Sequence, residues 1–218
     1  MKNVEIFGDS IMKGIYYDGS RYRLCREKLE AEDASIRNRS KMGATISQGL
    51  KAIEAALPEI SPGTVAILEF GGNDCNFNWA EVAERPEGEH SCATPMEIFE
   101  KLYEKAVREL QKAGATVVLC TLPPISSPKF FEFLSDGLSK NRIMQWLRDT
   151  DRLAAWQKDY SDAAARIARR CGCGLIDLRK AAVSAGWDCH ISPDGLHPDA
   201  SGHGIIRLTV EQYIENMI

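Results

Sequence analysis

Short apolar runs recur along the chain, and the segments between them show a different spacing. The runs lie at residues 4–7, 35–39, 65–70, 116–120 and 175–178. Runs this short have the length of buried strands, whereas helices are usually longer. The run at 65–70 is apolar enough to be covered on both faces, which is typical of a parallel sheet. The pattern therefore predicts a central five-stranded parallel sheet.

Between the strands, apolar residues recur every three or four positions, as they do along one face of a helix. The clearest case is Ile46, Leu50, Ile53 and Leu57. The helical stretches cover residues 22–31, 46–57, 99–110, 153–167 and 206–217. Strands that alternate with helices predict one doubly wound α/β domain over residues 1–218.

Two connections are longer than the few residues that usually join a strand to a helix. They cover residues 74–95 and 121–150. Long excursions from a compact domain often form lids or binding loops. The second excursion contains helical stretches of its own at 129–134 and 141–147, so it is not expected to be an irregular loop.

The 218 residues include 27 Lys+Arg and 31 Asp+Glu, which gives a net charge of -4. Nucleic-acid binders usually carry a basic patch, so nucleic acid is not an expected partner. No stretch approaches the roughly 20 apolar residues of a membrane-spanning helix, and Asp9 lies where a signal peptide needs its apolar run. The seven cysteines are an odd number, which indicates reduced thiols. We expect a cytoplasmic domain without membrane insertion, and its oligomeric state stays open.

Small and polar residues follow three of the predicted strands, at 8–10, 40–45 and 71–74. Ligands of open parallel sheets bind outside the carboxyl ends of the strands, so these segments are expected to share one edge. A fourth segment, at 194–198, precedes the last helix and contains a carboxylate and an imidazole three residues apart. These four segments contain the candidate chemistry.

Ser10, His197 and Asp194 can form a nucleophilic triad. A serine hydroxyl needs a histidine to take its proton, and that histidine needs a third group to fix its tautomer and stabilise the imidazolium. The tetrahedral intermediate then needs donors that face its oxyanion. The available donors are the backbone N–H groups of Ser10 and Gly43 and the side-chain amide of Asn73. The segment at 8–12 lacks the second glycine of a G-x-S-x-G elbow, which indicates a different hydrolase lineage.

In these segments the sequence resembles the SGNH, or GDSL, hydrolase family of esterases and lipases. The family's first block is found at residues 8–14, its second at Gly43, its third at 71–74 and its fifth at 194–198. The blocks occur in the family's order and span nearly the whole chain.

The resemblance implies a role for each of these residues. Ser10 is the nucleophile and first oxyanion donor, and Gly43 and Asn73 complete the oxyanion hole. His197 is the base, and Asp194 orients it. The family fold is a flavodoxin-like three-layer α/β/α sandwich, which agrees with the strand pattern. Water is the second substrate, so no cofactor is expected.

The leading functional hypothesis is a carboxylic-ester hydrolase that acts on a short acyl group, most often an acetyl on a carbohydrate, through an acyl-serine intermediate. A small-molecule acyl ester such as an acetylated sugar is then the partner. The first alternative is a lysophospholipase or thioesterase with a longer acyl group. The second is a catalytically silent domain that binds a carbohydrate or another partner.

Aromatic residues near the site segments are candidates for lining the acyl or sugar pocket. They are Phe77, Trp79, Phe130, Trp146 and Trp187. Apart from Trp187, they lie in the two long excursions, and any single one of them is expected to pack in the excursion's own core rather than face the substrate. As a group, some are expected to face the substrate.

The remaining histidines and acids near the blocks are assigned structural roles. His190 and His203 could be imagined as metal ligands with the site residues, but the spacing matches no pair on one helix face, so no metal is predicted. Asp9 and Asp74 are expected to hydrogen-bond the backbone of their loops.

Overall fold

The computed structural model describes residues 1–217. The strands are β1 (Lys2–Gly8), β2 (Ile15–Tyr17), β3 (Tyr22–Leu24), β4 (Ala34–Asn38), β5 (Val65–Glu69), β6 (Thr116–Cys120) and β7 (Gly174–Ile176). The α-helices are α1 (Ser10–Lys13), α2 (Ile46–Ala56), α3 (Trp79–Glu84), α4 (Met96–Lys112), α5 (Ser127–Leu134), α6 (Lys140–Leu147), α7 (Asp151–Cys171), α8 (Leu178–Ser184) and α9 (Ala200–Glu215).

Five of the strands form the central sheet in the order β4-β1-β5-β6-β7, and every neighbouring pair is parallel. This confirms the predicted five-stranded parallel sheet. All five residues of β5 are buried, as expected for a strand covered on both faces. β1 and β5 are direct neighbours, so the loops that follow them lie side by side at the carboxyl edge.

Helices cover both faces of the sheet. Successive residues of a strand point to opposite faces, so Phe7 and Leu68 pack into one apolar cluster while Ile6 and Ile67 pack into the other. The first cluster also contains buried residues of α2, α4 and α7, and the second contains residues of α8 and α9. The result is the three-layer α/β/α sandwich that the sequence predicted.

The segment at 22–31 is not the predicted helix. Residues Tyr22–Leu24 form β3, which pairs antiparallel with β2 as a two-stranded hairpin beside the main sheet. The hairpin turn is stabilised by the Asp18 carboxylate, which accepts hydrogen bonds from the backbone N–H groups of Ser20 and Arg21, both at 2.9 Å. The helical spacing was misleading because turn chemistry at 18–21 and strand pairing decide the local structure.

The last strand is also shorter than predicted. β7 ends at Ile176 because the Asp177 carboxylate accepts a hydrogen bond from the backbone N–H of Lys180 and caps α8. The apolar residue Leu178, which extended the predicted strand, is the buried first residue of that helix.

The two long excursions pack against each other. The first contains α3, which was not predicted, and the second contains α5 and α6 at the predicted positions. Their buried side chains, together with Leu153 of α7, form a separate apolar cluster, which we call the cap cluster: Trp79, Val82, Ala83, Phe130, Phe131, Ile143, Leu147 and Leu153. Arg142 on α6 donates from Nε to the Ala83 carbonyl of α3 at 2.5 Å, which links the two excursions.

All seven cysteines lie within the described residues and are free thiols. Among the same residues, no helix combines the length and the apolar character that crossing a membrane requires.

Candidate active site

Ser10 lies at the carboxyl edge of the sheet as the first residue of α1, directly after β1. The Asp9 carboxylate caps this helix by accepting a hydrogen bond from the backbone N–H of Ile11 at 2.8 Å. Gly14 ends the helix in the left-handed region, at φ 81°. The strand, the cap and the short helix hold the hydroxyl of Ser10 in one place at the sheet edge.

Asp194 and His197 come from a tight loop before α9. The Asp194 Oδ1 atom accepts hydrogen bonds from the backbone N–H groups of Leu196 at 3.1 Å and His197 at 3.0 Å. Gly195 adopts φ 70°, and a side chain at that position would collide with the backbone of Phe130. The backbone of the loop therefore orients the Asp194 carboxylate independently of the His197 ring.

The structure brings the predicted nucleophile, base and orienting acid together. His197 Nδ1 donates to Asp194 Oδ2 at 2.6 Å, and Ser10 Oγ donates to His197 Nε2 at 2.9 Å. All three side chains are buried. The arrangement has the connectivity of a Ser-His-Asp triad, in which the histidine takes the serine proton during attack on a carbonyl carbon.

Gly43 lies in an exposed loop that follows β4. Its φ of 75° is in the left-handed region, and an added Cβ would meet nothing within 4 Å, so backbone conformation rather than space favours glycine here. The loop is joined to the end of β1 because the Lys41 N–H donates to the Gly8 carbonyl at 3.0 Å. This contact keeps the loop at the same edge as Ser10.

Asn73 follows β5, and its side-chain amide lies between the loop after β1 and the loop that contains Gly43. Its Nδ2 atom donates to Asp9 Oδ2 at 2.9 Å and to the Ala44 carbonyl at 3.1 Å. Both amide hydrogens therefore have acceptors within the protein. For Asn73 to serve as the predicted oxyanion donor, the oxyanion must compete with the weaker of these acceptors.

Asp9 hydrogen-bonds the backbone of its own loop, as expected, whereas Asp74 hydrogen-bonds the backbone of a different element. Asp74 accepts from the Ile46 N–H at 3.0 Å, at the first residue of α2. Burial raises the pKa of Asp74 to about 6, although its hydrogen bonds with Thr94 and Ile46 oppose the shift. A third buried carboxyl group, that of Glu69 at the end of β5, was missed because it lies inside an apolar run.

An aromatic ring that the sequence did not single out packs on the base. The Tyr22 ring lies edge-on to the His197 ring with a centroid distance of 5.3 Å, and the Tyr22 side chain is 39% exposed. Tyr17 packs against Tyr22 at 5.3 Å and against Phe133 at 5.3 Å. Tyr22 was missed because β3 was interpreted as a helix.

The five aromatic residues proposed to line the pocket occupy different environments. Trp79 and Phe130 border a cavity of ≈ 20 Å³, together with Gly72 and Leu196, which adjoin Asn73 and His197 in the chain. Phe77 and Trp146 pack against each other at a centroid distance of 5.0 Å. Trp187 is buried, and its Nε1 donates to the Pro124 carbonyl at 2.6 Å.

The other two histidines near the loop are bonded elsewhere. His203 on α9 donates from Nε2 to the Ile15 carbonyl at 2.8 Å, and burial lowers the pKa of His203 to about 4. The His190 ring bonds to Ser201 through Nδ1 at 2.7 Å. Among the described residues, no group of three or more His, Cys, Asp or Glu side chains is arranged to hold a metal ion.

Several solved structures resemble the whole chain. The lipase/acylhydrolase from Enterococcus faecalis is 20% identical with a TM-score of 0.63, and the alignment covers 100% of this chain and 97% of that one. The psychrotrophic esterase EstA from a Pseudoalteromonas species is 18% identical with a TM-score of 0.63, covering 100% and 98%. The acetyl xylan esterase AlAXEase is 20% identical with a TM-score of 0.64, covering 97% and 99%.

At this level of identity, likeness of structure supports the fold alone. No curated protein matches the sequence. The model of the GDSL-like Lipase/Acylhydrolase family, however, matches residues 6–205, a range that contains the predicted nucleophile, base and orienting acid. The chain therefore belongs to the GDSL-like lipase/acylhydrolase family.

Proposed function

We propose that the protein is a serine esterase that removes a short acyl group, an acetyl in particular, from a carbohydrate through an acyl-serine intermediate. The observation that carries the proposal is the continuous hydrogen-bonded chain from Asp194 through His197 to Ser10, at 2.6 and 2.9 Å. Through these two hydrogen bonds, His197 takes the serine proton and returns it to the departing alcohol. Water then hydrolyses the acyl-serine bond with His197 again as the base.

The size of the cavity beside the site supports a short acyl group. A cavity of ≈ 20 Å³ holds about one water-sized group, such as a methyl. Trp79, Phe130, Leu153 and Trp156 form its apolar walls, and the first three of these are also members of the cap cluster. A longer chain would have to displace packed aromatic side chains, which is costly in a close-packed interior.

The exposed aromatic ring beside the base supports a carbohydrate on the alcohol side. His197 protonates the leaving alcohol, so that alcohol departs next to His197 and hence next to the Tyr22 ring. Aromatic rings present flat apolar faces with a polar tip, which suits partly exposed contacts. The structural likeness to a protein named acetyl xylan esterase agrees with this choice of substrate.

The enzyme hypothesis is tested by replacing the nucleophile. We expect Ser10→Ala to lower kcat on p-nitrophenyl acetate by about 10⁴-fold or more and to abolish labelling by an organophosphonate. Ser40→Ala is the matched control, because Ser40 is also a buried serine and its hydroxyl has no hydrogen-bond partner among the described residues. If the wild-type protein neither hydrolyses the ester nor is labelled at Ser10, it is a binding domain instead.

Acyl length is tested with p-nitrophenyl esters from acetate to octanoate. We expect kcat/KM to be highest for the shortest esters, and Trp156→Ala to raise the relative rate on longer ones by enlarging the cavity. Trp146→Ala is the control, because Trp146 packs against Trp156 at 5.6 Å but does not border the cavity. Wild-type activity that keeps rising to octanoate would support a lysophospholipase or thioesterase.

A further inference from the structure

Three carboxyl groups are buried together beneath the predicted oxyanion hole. Asp9 is 1% exposed, and Glu69 and Asp74 are both 0% exposed. The charged neighbours that act on these groups are the other carboxyls and, for Asp9, the His197 ring. If all three buried carboxyl groups were ionised, they would repel one another and lack solvation by water. At least one of the three is therefore expected to hold a proton.

Hydrogen bonding distinguishes the three groups. Both oxygens of Asp9 accept hydrogen bonds, from the Ile11 N–H at 2.8 Å and from Asn73 Nδ2 at 2.9 Å. Asp74 accepts from the Ile46 N–H with both oxygens, at 3.0 and 3.2 Å. Neither oxygen of Glu69 has an N–H or hydroxyl donor within hydrogen-bond distance among the described residues. A buried carboxylate without donors is the least stable of the three, so the proton belongs on Glu69.

The electrostatic surroundings favour the same assignment. Burial and the negative charge of Asp9 raise the pKa of Glu69 well above its usual range, and Asp74 adds to the shift. Burial also raises the pKa of Asp9, but hydrogen bonds from Ile11, from Glu69 and from Asn73 and the nearby His197 oppose the shift. The other titratable groups that face Glu69 are the buried and neutral Tyr103 and Cys120.

We propose that Glu69 is a neutral carboxylic acid and a positioning residue, which shares its proton with Asp9 so that the ionised Asp9 can hold Asn73 and the start of α1 in place. The register of the sheet supports this contact, because Glu69 pairs with Gly8, the residue before Asp9. The proposal rests on the proposed esterase activity only for its kinetic consequences.

For catalysis, the proposal concerns which acceptor holds each of the two hydrogens of the Asn73 amide. One Nδ2 hydrogen is held by Asp9, and the other faces the Ala44 carbonyl at 3.1 Å. A developing oxyanion is a stronger acceptor than a carbonyl, so it can take the second hydrogen while Asp9 keeps the amide plane fixed. An ionised Glu69 would instead add a second buried negative charge beside the forming oxyanion.

The kinetic test compares Glu69→Gln with Glu69→Leu. The glutamine amide is neutral and can donate to Asp9 as the acid does, so we expect kcat within about threefold of wild type and an unchanged acidic limb of the kcat/KM–pH profile. Leucine fills the space but cannot donate, so we expect kcat to fall about 10- to 100-fold with a much smaller change in KM. An acidic limb that moves to lower pH in Glu69→Gln would overturn the proposal, because the base would then have lost a negative neighbour.

A spectroscopic test does not need esterase activity. The infrared difference spectrum between wild type and Glu69→Gln at neutral pH should contain the band of a protonated carboxyl group, and a carboxylate band in its place would overturn the proposal. Glu5→Gln is the matched control, because Glu5 is a buried glutamate of β1 that pairs with Arg39 at 2.6 Å. Its difference spectrum should lose a carboxylate band. If the wild-type protein hydrolysed no ester, the proposed function would fail while this measurement still decided the state of Glu69.

Discussion

Ser10 and His197 are 187 residues apart in the chain and meet at 2.9 Å. Each is positioned by its own local device, the Asp9 cap for the serine and the Asp194 loop for the histidine. Because Asp194 holds the Nδ1 hydrogen, Nε2 is left as the acceptor for the serine proton. Catalytic geometry at the residue scale therefore depends on backbone hydrogen bonds to two carboxylates as much as on the triad contacts themselves.

His203 is expected to couple stability to pH. Its pKa is about 4 in the folded protein and about 6.5 when unfolded, so the unfolded chain binds more protons between these values. The neutral buried ring thus contributes stability that is intact above pH ~6.5 and is lost as the pH falls towards ~4, by about 3 kcal/mol at most.

Urea unfolding at neutral pH and near pH 4.5 measures this contribution. His203→Gln keeps an N–H donor for the Ile15 carbonyl but cannot be protonated, so it should lose less stability than wild type on acidification. His190→Gln is the control, because it removes another histidine close to α9 that bonds to an exposed serine. An equal acid loss in wild type and His203→Gln would show that the ring is not responsible.

At the element scale, two helical glycines have opposite surroundings. Gly49 in α2 packs against the outer edge of the buried ring of Phe70, and an added Cβ would lie under 3.0 Å from three ring carbons. Gly204 in α9 has nothing within 4 Å of the same position. Packing therefore requires glycine at position 49, whereas no contact requires it at position 204.

Alanine substitution separates these two cases. We expect Gly49→Ala to destabilise the protein by about 1–3 kcal/mol, because the overpacking of Phe70 exceeds the gain in helix propensity. Gly204→Ala should stabilise it by up to about 1 kcal/mol, because alanine restricts the unfolded chain and favours the helix. Thermal or urea unfolding measures both changes. A stabilised Gly49→Ala variant would mean that α2 can move away from the sheet.

At the scale of the whole molecule, the excursions and the sheet have separate apolar clusters. Ile143 in the cap cluster and Ile53 under the sheet are both fully buried, so truncation of either should cost about 2–5 kcal/mol of local packing. Among the described residues, however, no buried member of the cap cluster belongs to either of the two clusters that pack on the sheet. We therefore expect it to open without unfolding of the sheet.

Hydrogen exchange tests this independence. Ile143→Ala should accelerate exchange in α3, α5 and α6 while β5 stays protected, and it should lower kcat/KM because Trp79 and Phe130 border the cavity beside the site. Ile53→Ala is the matched control and should accelerate exchange in the sheet as well. Equal acceleration of the cap and β5 in Ile143→Ala would show that the molecule unfolds as one unit.

Features that are encoded in short windows of the sequence can be predicted without the structure. Apolar periodicity located the strand Thr116–Cys120 and the helix Ile46–Ala56, because burial on one or two faces leaves a local pattern. The glycine-rich segments after β1 and β5 were recognised for the same reason, since tight turns and close backbone approach require particular residues at adjacent positions.

How these segments meet depends on long-range contacts that the structure reveals. The adjacency of β1 and β5 brings Asp9, Glu69 and Asn73 together, and the hairpin places Tyr22 against His197. Neither arrangement can be predicted from a short window of sequence, because long-range packing sets the strand order and the docking of the hairpin. Glu69 is the clearest example of a residue whose state cannot be predicted from a short window of sequence. Its sequence context is that of a buried strand, but its pKa is raised by burial and by Asp9, which follows a different strand, and apolar periodicity does not record that neighbour.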